Sequence, residues 1–166
     1  MRNRGLLLTT AASVLWGTVF LAISVGLREA NAYNLVFLRF LVASLVAGFL
    51  GLVLGKVRHI ARELRRESTW LLGAIWAAGF ILQYVGQSLT DASQATLLSN
   101  FAPTIVPILA VLVLRDVISP YQKAGTVLGF VGLLFLASPW NGSLLGDLVL
   151  FSSSITYAFF IVLSKR

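Results

Sequence analysis

Residues 68–114 read STWLLGAIWAAGFILQYVGQSLT, then Asp91, then ASQATLLSNFAPTIVPILAVLVL: two uncharged runs of 23 residues that meet at a single carboxylate. A bilayer core needs about 20 apolar residues in a helix, so each run is long enough to cross one. Working outward, residues 5–27 and 124–146 form two more runs of 23, and shorter ones lie at 40–55 and 148–164. Hydrophobic residues make up 58% of the chain and charged ones 11%, where soluble domains carry about 25% charge. No soluble core needs four such runs. The fold class is therefore an all-α polytopic membrane helix bundle with six transmembrane helices.

The helices are expected at about 5–27, 35–55, 70–89 and 95–114, with a fifth from Ser119-Pro120 to before Pro139 and a sixth opened by Gly146-Asp147. Ser followed by Pro is an N-cap residue before the first helical position, and Asp147 reads as an N-cap charge on the sixth helix. A signal peptide is the competing reading of residues 1–22. The apolar stretch is too long for an h-region, and Trp16-Gly17 stands where a small-residue cleavage site is wanted. Apart from the basic segment KVRHIARELRRES (56–68), the connections are short, which leaves no room for a soluble domain.

The net charge of +7 is explained by where the cations lie. With the N-terminus inside, the inner segments hold Arg2, Arg4, Lys56, Arg58, Arg62, Arg65, Arg66, Arg115, Lys123, Lys165 and Arg166. Only Arg28 and Arg39 fall on the outer half. This is the positive-inside bias of a multi-pass protein of the cell membrane with a cytoplasmic N-terminus, and it leaves no need for a nucleic-acid partner. The basic segment reads as a solvated, lipid-facing turn. Cysteine is absent, and His59 is the single histidine. No metal site or cofactor is therefore expected.

Helix faces divide the bundle. Small residues at 44, 48, 51 and 55, and glycines at 125, 129 and 132, form stripes that suit close helix packing. The third helix instead gathers Trp76, Gly79, Gln83, Gly86, Gln87 and Thr90 on one face, with Tyr84 at its border. Ser93, Thr96, Asn100, Pro103 and Pro107 line a face of the fourth. Amides at membrane depth must face other helices or a wet cavity, so these faces mark either a substrate path or interhelical hydrogen bonding. Pro103 and Pro107 each remove an amide donor, freeing the carbonyls of Ser99 and Pro103 to act in a hinge, a ligand contact or a packing kink. Arg39 either snorkels to the interface or faces the cavity as a cation. No span carries a carboxylate in its middle, and no nucleophile–base pair is visible, so the chain is not read as an enzyme.

Laid over residues 5–24 with an offset of 141, residues 146–165 repeat the first helix: Gly5/Gly146, Leu7/Leu148 and Ser13/Ser154 coincide, and Trp16/Tyr157 and Gly17/Ala158 are conservative pairs. The second copy stands five helices on from the first, so the two run in opposite directions. That is the sequence mark of an inverted repeat.

LWGTVFLAIS (15–24), FLRF (37–40), QYVGQSLTDASQATLLSNFAPTIVPILAVLVLRD (83–116) and GTVLGFVGLLFLA (125–137) together resemble the EamA-type permeases of the drug/metabolite transporter superfamily. Asp116 stands at that family's acidic position after the fourth helix. The resemblance implies ten helices in two inverted five-helix repeats, of which residues 1–138 would be the first and 144–166 the opening helix of a truncated second. It also implies movement of small metabolites, amino acids or drugs across the cytoplasmic membrane, with export the expected direction. A non-transporting membrane scaffold or assembly subunit is the alternative. In the permease reading Trp16, Gln83, Tyr84, Gln87, Asn100 and Tyr157 bind substrate, Arg39 stands near the outer mouth, and Pro103 and Pro107 are hinges. The partners are a small-molecule substrate and the lipid bilayer, with a second copy or the missing C-terminal half closing the cavity.

Overall fold

The computed structural model describes residues 2–115, 117–136 and 143–165. It is helical throughout: α1 Arg2–Glu29, α2 Ala32–Val53, α3 Val57–Glu63, α4 Glu67–Ser88, α5 Ala92–Ser99, α6 Ala102–Leu109 with a π-helical turn Ala110–Leu114, α7 Pro120–Leu136 and α8 Leu144–Leu163. No strand occurs among the described residues. Five segments are long and apolar enough to cross a membrane: Gly5–Glu29, Ala32–Val53, Glu67–Ser88, Ala92–Leu114 and Leu144–Leu163. The expected fifth helix is α7, which spans 17 described residues and falls short of that length. Its expected stop before Pro139 lies outside the described residues, as do Asp116 and Arg166.

An antiparallel pair, α4 and α8, forms the centre. Along it, Gly79 meets Tyr157, Gly86 meets Leu150 and Gly146 meets Leu89. At each of these glycines a Cβ would come within 3.0 Å of the facing residue, so the two backbones approach as closely as they do because no side chain intervenes. Around this pair, Ile23 of α1 and Val36 of α2 pack on Phe80 and Tyr84 of α4. Phe20 of α1 meets Ala95, Leu98 and Leu150, while Phe101, Ala102 and Ile105 close on Ala158. The N-terminal part of α1, residues 5–18, is exposed on all sides.

The expected fourth helix is broken. Asn100 and Phe101 separate α5 from α6, and Pro103 falls in the first turn of α6, where a missing N–H is an orphan in any case. The chain therefore starts a new helix at the proline and does not carry the gap inside an old one. At the break, side chains reinforce carbonyls that already accept a backbone N–H, Thr96 from Asn100 at 3.2 Å and Leu98 from Phe101 at 3.3 Å. Asn100 Nδ2 donates to the Thr96 carbonyl at 2.7 Å. The Ser154 hydroxyl of α8 donates to the Leu98 carbonyl, one residue before the carbonyl expected on Ser99.

Three further expectations change. The basic segment is not a bare turn: α3 lies within it, and Ile60 reaches the backbone of Gly51. The small-residue stripes are only partly used. Gly129 meets Thr104 of α6, but Gly48, Gly125 and Gly132 have no neighbour within 4 Å at the Cβ position. The cap of α8 is Ser143, whose hydroxyl accepts from the Gly146 N–H at 3.5 Å. Asp147 sits in the first turn, since the helix begins at Leu144. At α7 the expected start holds as a reciprocal capping box: the Gln122 N–H donates to Ser119 Oγ at 3.2 Å, and the Ser119 N–H to Gln122 Oε1 at 2.8 Å.

Candidate functional site

The break between α5 and α6 opens one side of a cleft of about 260 Å³, which α1, α4 and α8 complete. Trp16 of α1 stands on one wall and Trp76 and Gln83 of α4 on another. Tyr157 and Phe160 come from α8, and Ser99, Asn100 and Pro103 from the break. The α8 rings are one turn apart, so both face α4. Trp76 packs against Tyr157 at 5.1 Å and Phe160 at 4.4 Å between ring centroids. The Tyr157 hydroxyl donates to Gln83 Oε1, which fixes the amide. Gln83 is 5% exposed. Ser99 is buried to the same degree, and its Oγ has no hydrogen-bond partner. Natural structures leave few buried polar atoms unmatched, and this one belongs to a residue that lines the cleft.

Gln87 lies one turn along α4 from Gln83 but faces elsewhere. Its Nε2 donates to the Phe20 carbonyl at 2.6 Å and to Ser24 Oγ at 2.9 Å. It borders a separate pocket between the ends of α1 and α4 and the start of α5. Tyr84 and Arg39 lie in a third place, an apolar groove of about 770 Å³ between α1 and α2. Arg39 Nη1 donates to Tyr84 Oη at 3.1 Å, and its guanidinium sits 4.5 Å from the centre of the Phe80 ring. Arg39 is half-buried; these two contacts hold it against α4, so it does not snorkel away from the bundle.

The expected site residues are thus divided. Trp16, Gln83, Asn100 and Tyr157 share the cleft, with Pro103 at its edge. Gln87 belongs to the second pocket, Tyr84 and Arg39 to the groove. Pro107 lies inside α6, a turn beyond the cleft. Sequence reasoning missed Ser99 and Phe160 as cleft residues. The spacing of Tyr157 and Phe160, three apart and hence on one helical face, was the available signal for Phe160. Ser99 had none, because its burial follows from the break.

Chemically, the cleft offers ring faces and edges, an oriented amide and a hydroxyl. It suits a flat or amphipathic body carrying one hydrogen-bonding head. Among the described residues, no three His, Cys, Asp or Glu come together as a metal set.

The sequence profile of the EamA-like transporter family matches residues 3–138. An uncharacterised transporter of Archaeoglobus fulgidus is 27% identical over 177 residues, covering 100% of this chain and 59% of that protein. The uncharacterised transporter YyaM of Bacillus subtilis is 28% identical over 114 residues, covering 63% of this chain and 37% of its own length. One from Buchnera aphidicola subsp. Schizaphis graminum is 24% identical over 154 residues, 87% of this chain and 51% of that protein. The chain spans about half the length of the curated relatives it matches. No solved structure matches it.

Proposed function

This chain belongs to the EamA-like transporter family, and from that premise we propose that it forms part of a small-molecule permease, with residues 1–138 as one five-helix repeat and α8 as the opening helix of a second. In this reading the whole transporter has ten helices in two inverted repeats, and α7 is its fifth span. The N-terminus is cytoplasmic, the membrane is the cell membrane and the direction is export. The solute is amphipathic: its apolar body stacks between Trp16, Trp76 and Tyr157 while its polar head meets Ser99 and Gln83. Pro103 and Pro107 let α6 move against α5. The observation that carries the proposal is the helix break that lines an aromatic cleft and carries the buried, unpartnered Ser99 hydroxyl, because transporter sites are typically formed by discontinuous helices. The offset of 141 between α1 and α8 supports the inverted repeat.

The test is export from cells that express the natural gene, challenged with a panel of aromatic amino-acid analogues and planar antibiotics. Trp16 is 51% exposed, so Trp16→Ala leaves folding intact. Expression should raise tolerance to at least one compound, and Trp16→Ala should abolish the gain at unchanged abundance. If Trp16→Ala keeps full tolerance, the cleft is not the path. If no compound in the panel is exported, the scaffold reading stands in its place.

A further inference from the structure

Both α2 and α4 are long enough to cross a membrane, so the segment that joins them lies where they leave it. That segment folds into two faces. Arg58, Ala61, Arg62 and Arg65 fall at i, i+3, i+4 and i+7 and share one side of α3 and its C-terminal turn. Together they line a hollow of about 300 Å³. Ala61, whose side chain is only a methyl group, is its floor, and the arginines are its walls.

The hollow is lined by three cations and by no anion. Glu63 is committed elsewhere, to Arg66 at 3.0 Å. Among the described residues no carboxylate pairs with Arg58, Arg62 or Arg65. Arg58 and Arg62 stand one turn apart, where like charges repel, so an anion between them removes a cost that the fold leaves standing. Guanidinium groups present their donors in a fork that matches phosphate oxygens.

The neighbouring face indicates where the phosphate comes from. Val57, Ile60 and Leu64 form an apolar strip beside the arginines. Ile60 turns in against Gly51, while Val57 and Leu64 stay half-exposed. Trp70, in the first turn of α4, is 67% exposed, and its Nε1 donates to the Leu64 carbonyl at 2.8 Å. Apolar side chains and a tryptophan beside a row of cations suit the headgroup level of a bilayer. A soluble phosphate leaves them uncovered, whereas a lipid covers them with its chains. We propose that this hollow binds a phospholipid whose headgroup carries two negative charges, its phosphate oxygens received by Arg58, Arg62 and Arg65 and its chains lying on Val57, Leu64 and Trp70. A headgroup with one charge leaves more of the repulsion unrelieved. The site shares no residue with the aromatic cleft.

Native mass spectrometry of the purified full chain tests this with cardiolipin, which carries two phosphates, and phosphatidylglycerol, which carries one. A single cardiolipin should bind about tenfold more tightly than phosphatidylglycerol. Arg62→Gln should weaken cardiolipin binding about tenfold. Ala61→Leu fills the floor, leaves every charge in place and should weaken it by a similar factor. Lys56→Gln removes the same charge from the same segment outside the hollow and should change binding less than about twofold. All three positions are exposed, so the variants keep the fold. Equal losses from Arg62→Gln and Lys56→Gln overturn the proposal, because a diffuse positive field then does the binding. Equal affinity for the two lipids overturns it, as does unchanged binding in Ala61→Leu or the absence of bound cardiolipin. Displacement of cardiolipin by about 10 mM pyrophosphate at matched ionic strength also overturns it, and makes the hollow a site for soluble polyphosphate.

Discussion

Tyr157 of α8 rests directly on Gly79 of α4: a Cβ at Gly79 would stand 2.6 Å from Tyr157 Cε1 and 2.9 Å from Cδ1. The tyrosine cannot retreat freely, because its hydroxyl is tied to Gln83 and its ring lies against Trp76 and Phe80. Gly79→Ala should therefore destabilise the bundle by about 1–3 kcal/mol, read as a shift in the SDS-unfolding midpoint. Gly48→Ala, where no atom lies within 4 Å, should be neutral or stabilising by up to about 1 kcal/mol. Equal effects at the two positions would contradict the close approach of α4 and α8.

Ser154 should matter out of proportion to its size. Its hydroxyl takes the Leu98 carbonyl across the helix break, and in a membrane interior such bonds contribute about 0.6–1.7 kcal/mol. Ser154→Ala should cost that much in the same unfolding assay. Ser152→Ala removes only a bond to its own helix, at the Leu148 carbonyl, and should change the midpoint little.

Orientation can be read by labelling, because the chain contains no cysteine. With the N-terminus in the cytoplasm, Arg28→Cys reacts with an impermeant maleimide added to whole cells, and Arg62→Cys reacts only after the cells are opened. The reverse pattern would invert the assigned topology.

Pro103→Ala restores an N–H that can reach the Ser99 carbonyl and so mends the break between α5 and α6. If the break is a working hinge, export should fall by about tenfold, roughly 1.4 kcal/mol in the limiting barrier, while abundance in the membrane holds or rises. Unchanged export would make the break a packing feature only.

The helices were legible because uncharged length and flanking charge are local properties of the chain. The polar face of α4 was legible too: Gln83 and Gln87, four residues apart, lie on one side of a helix, and both are buried. What the sequence does not hold is the identity of the neighbour. α8 covers Gln83, α1 covers Gln87, Arg39 of α2 takes Tyr84, and one predicted cavity becomes three places. The break fell at Asn100 because a proline is least costly in a first turn, which moves the interruption upstream of the residue that causes it. In the basic segment, cations obscured the spacing of Val57, Ile60, Ala61 and Leu64, a one-sided apolar pattern that forms α3.

The bare N-terminal part of α1 has a mechanical consequence. The helix is packed where Phe20 and Ile23 are buried, and residues 5–18 beyond them are exposed. At about 1.5 Å per residue, Trp16 stands about 6 Å from Phe20 and Gly5 about 22 Å. A tilt of about 10° about Phe20 then moves Gly5 by about 4 Å but Trp16 by only about 1 Å. The cleft wall thus sits on the short arm of a lever, so any such tilt changes its width far less than it moves the far tip.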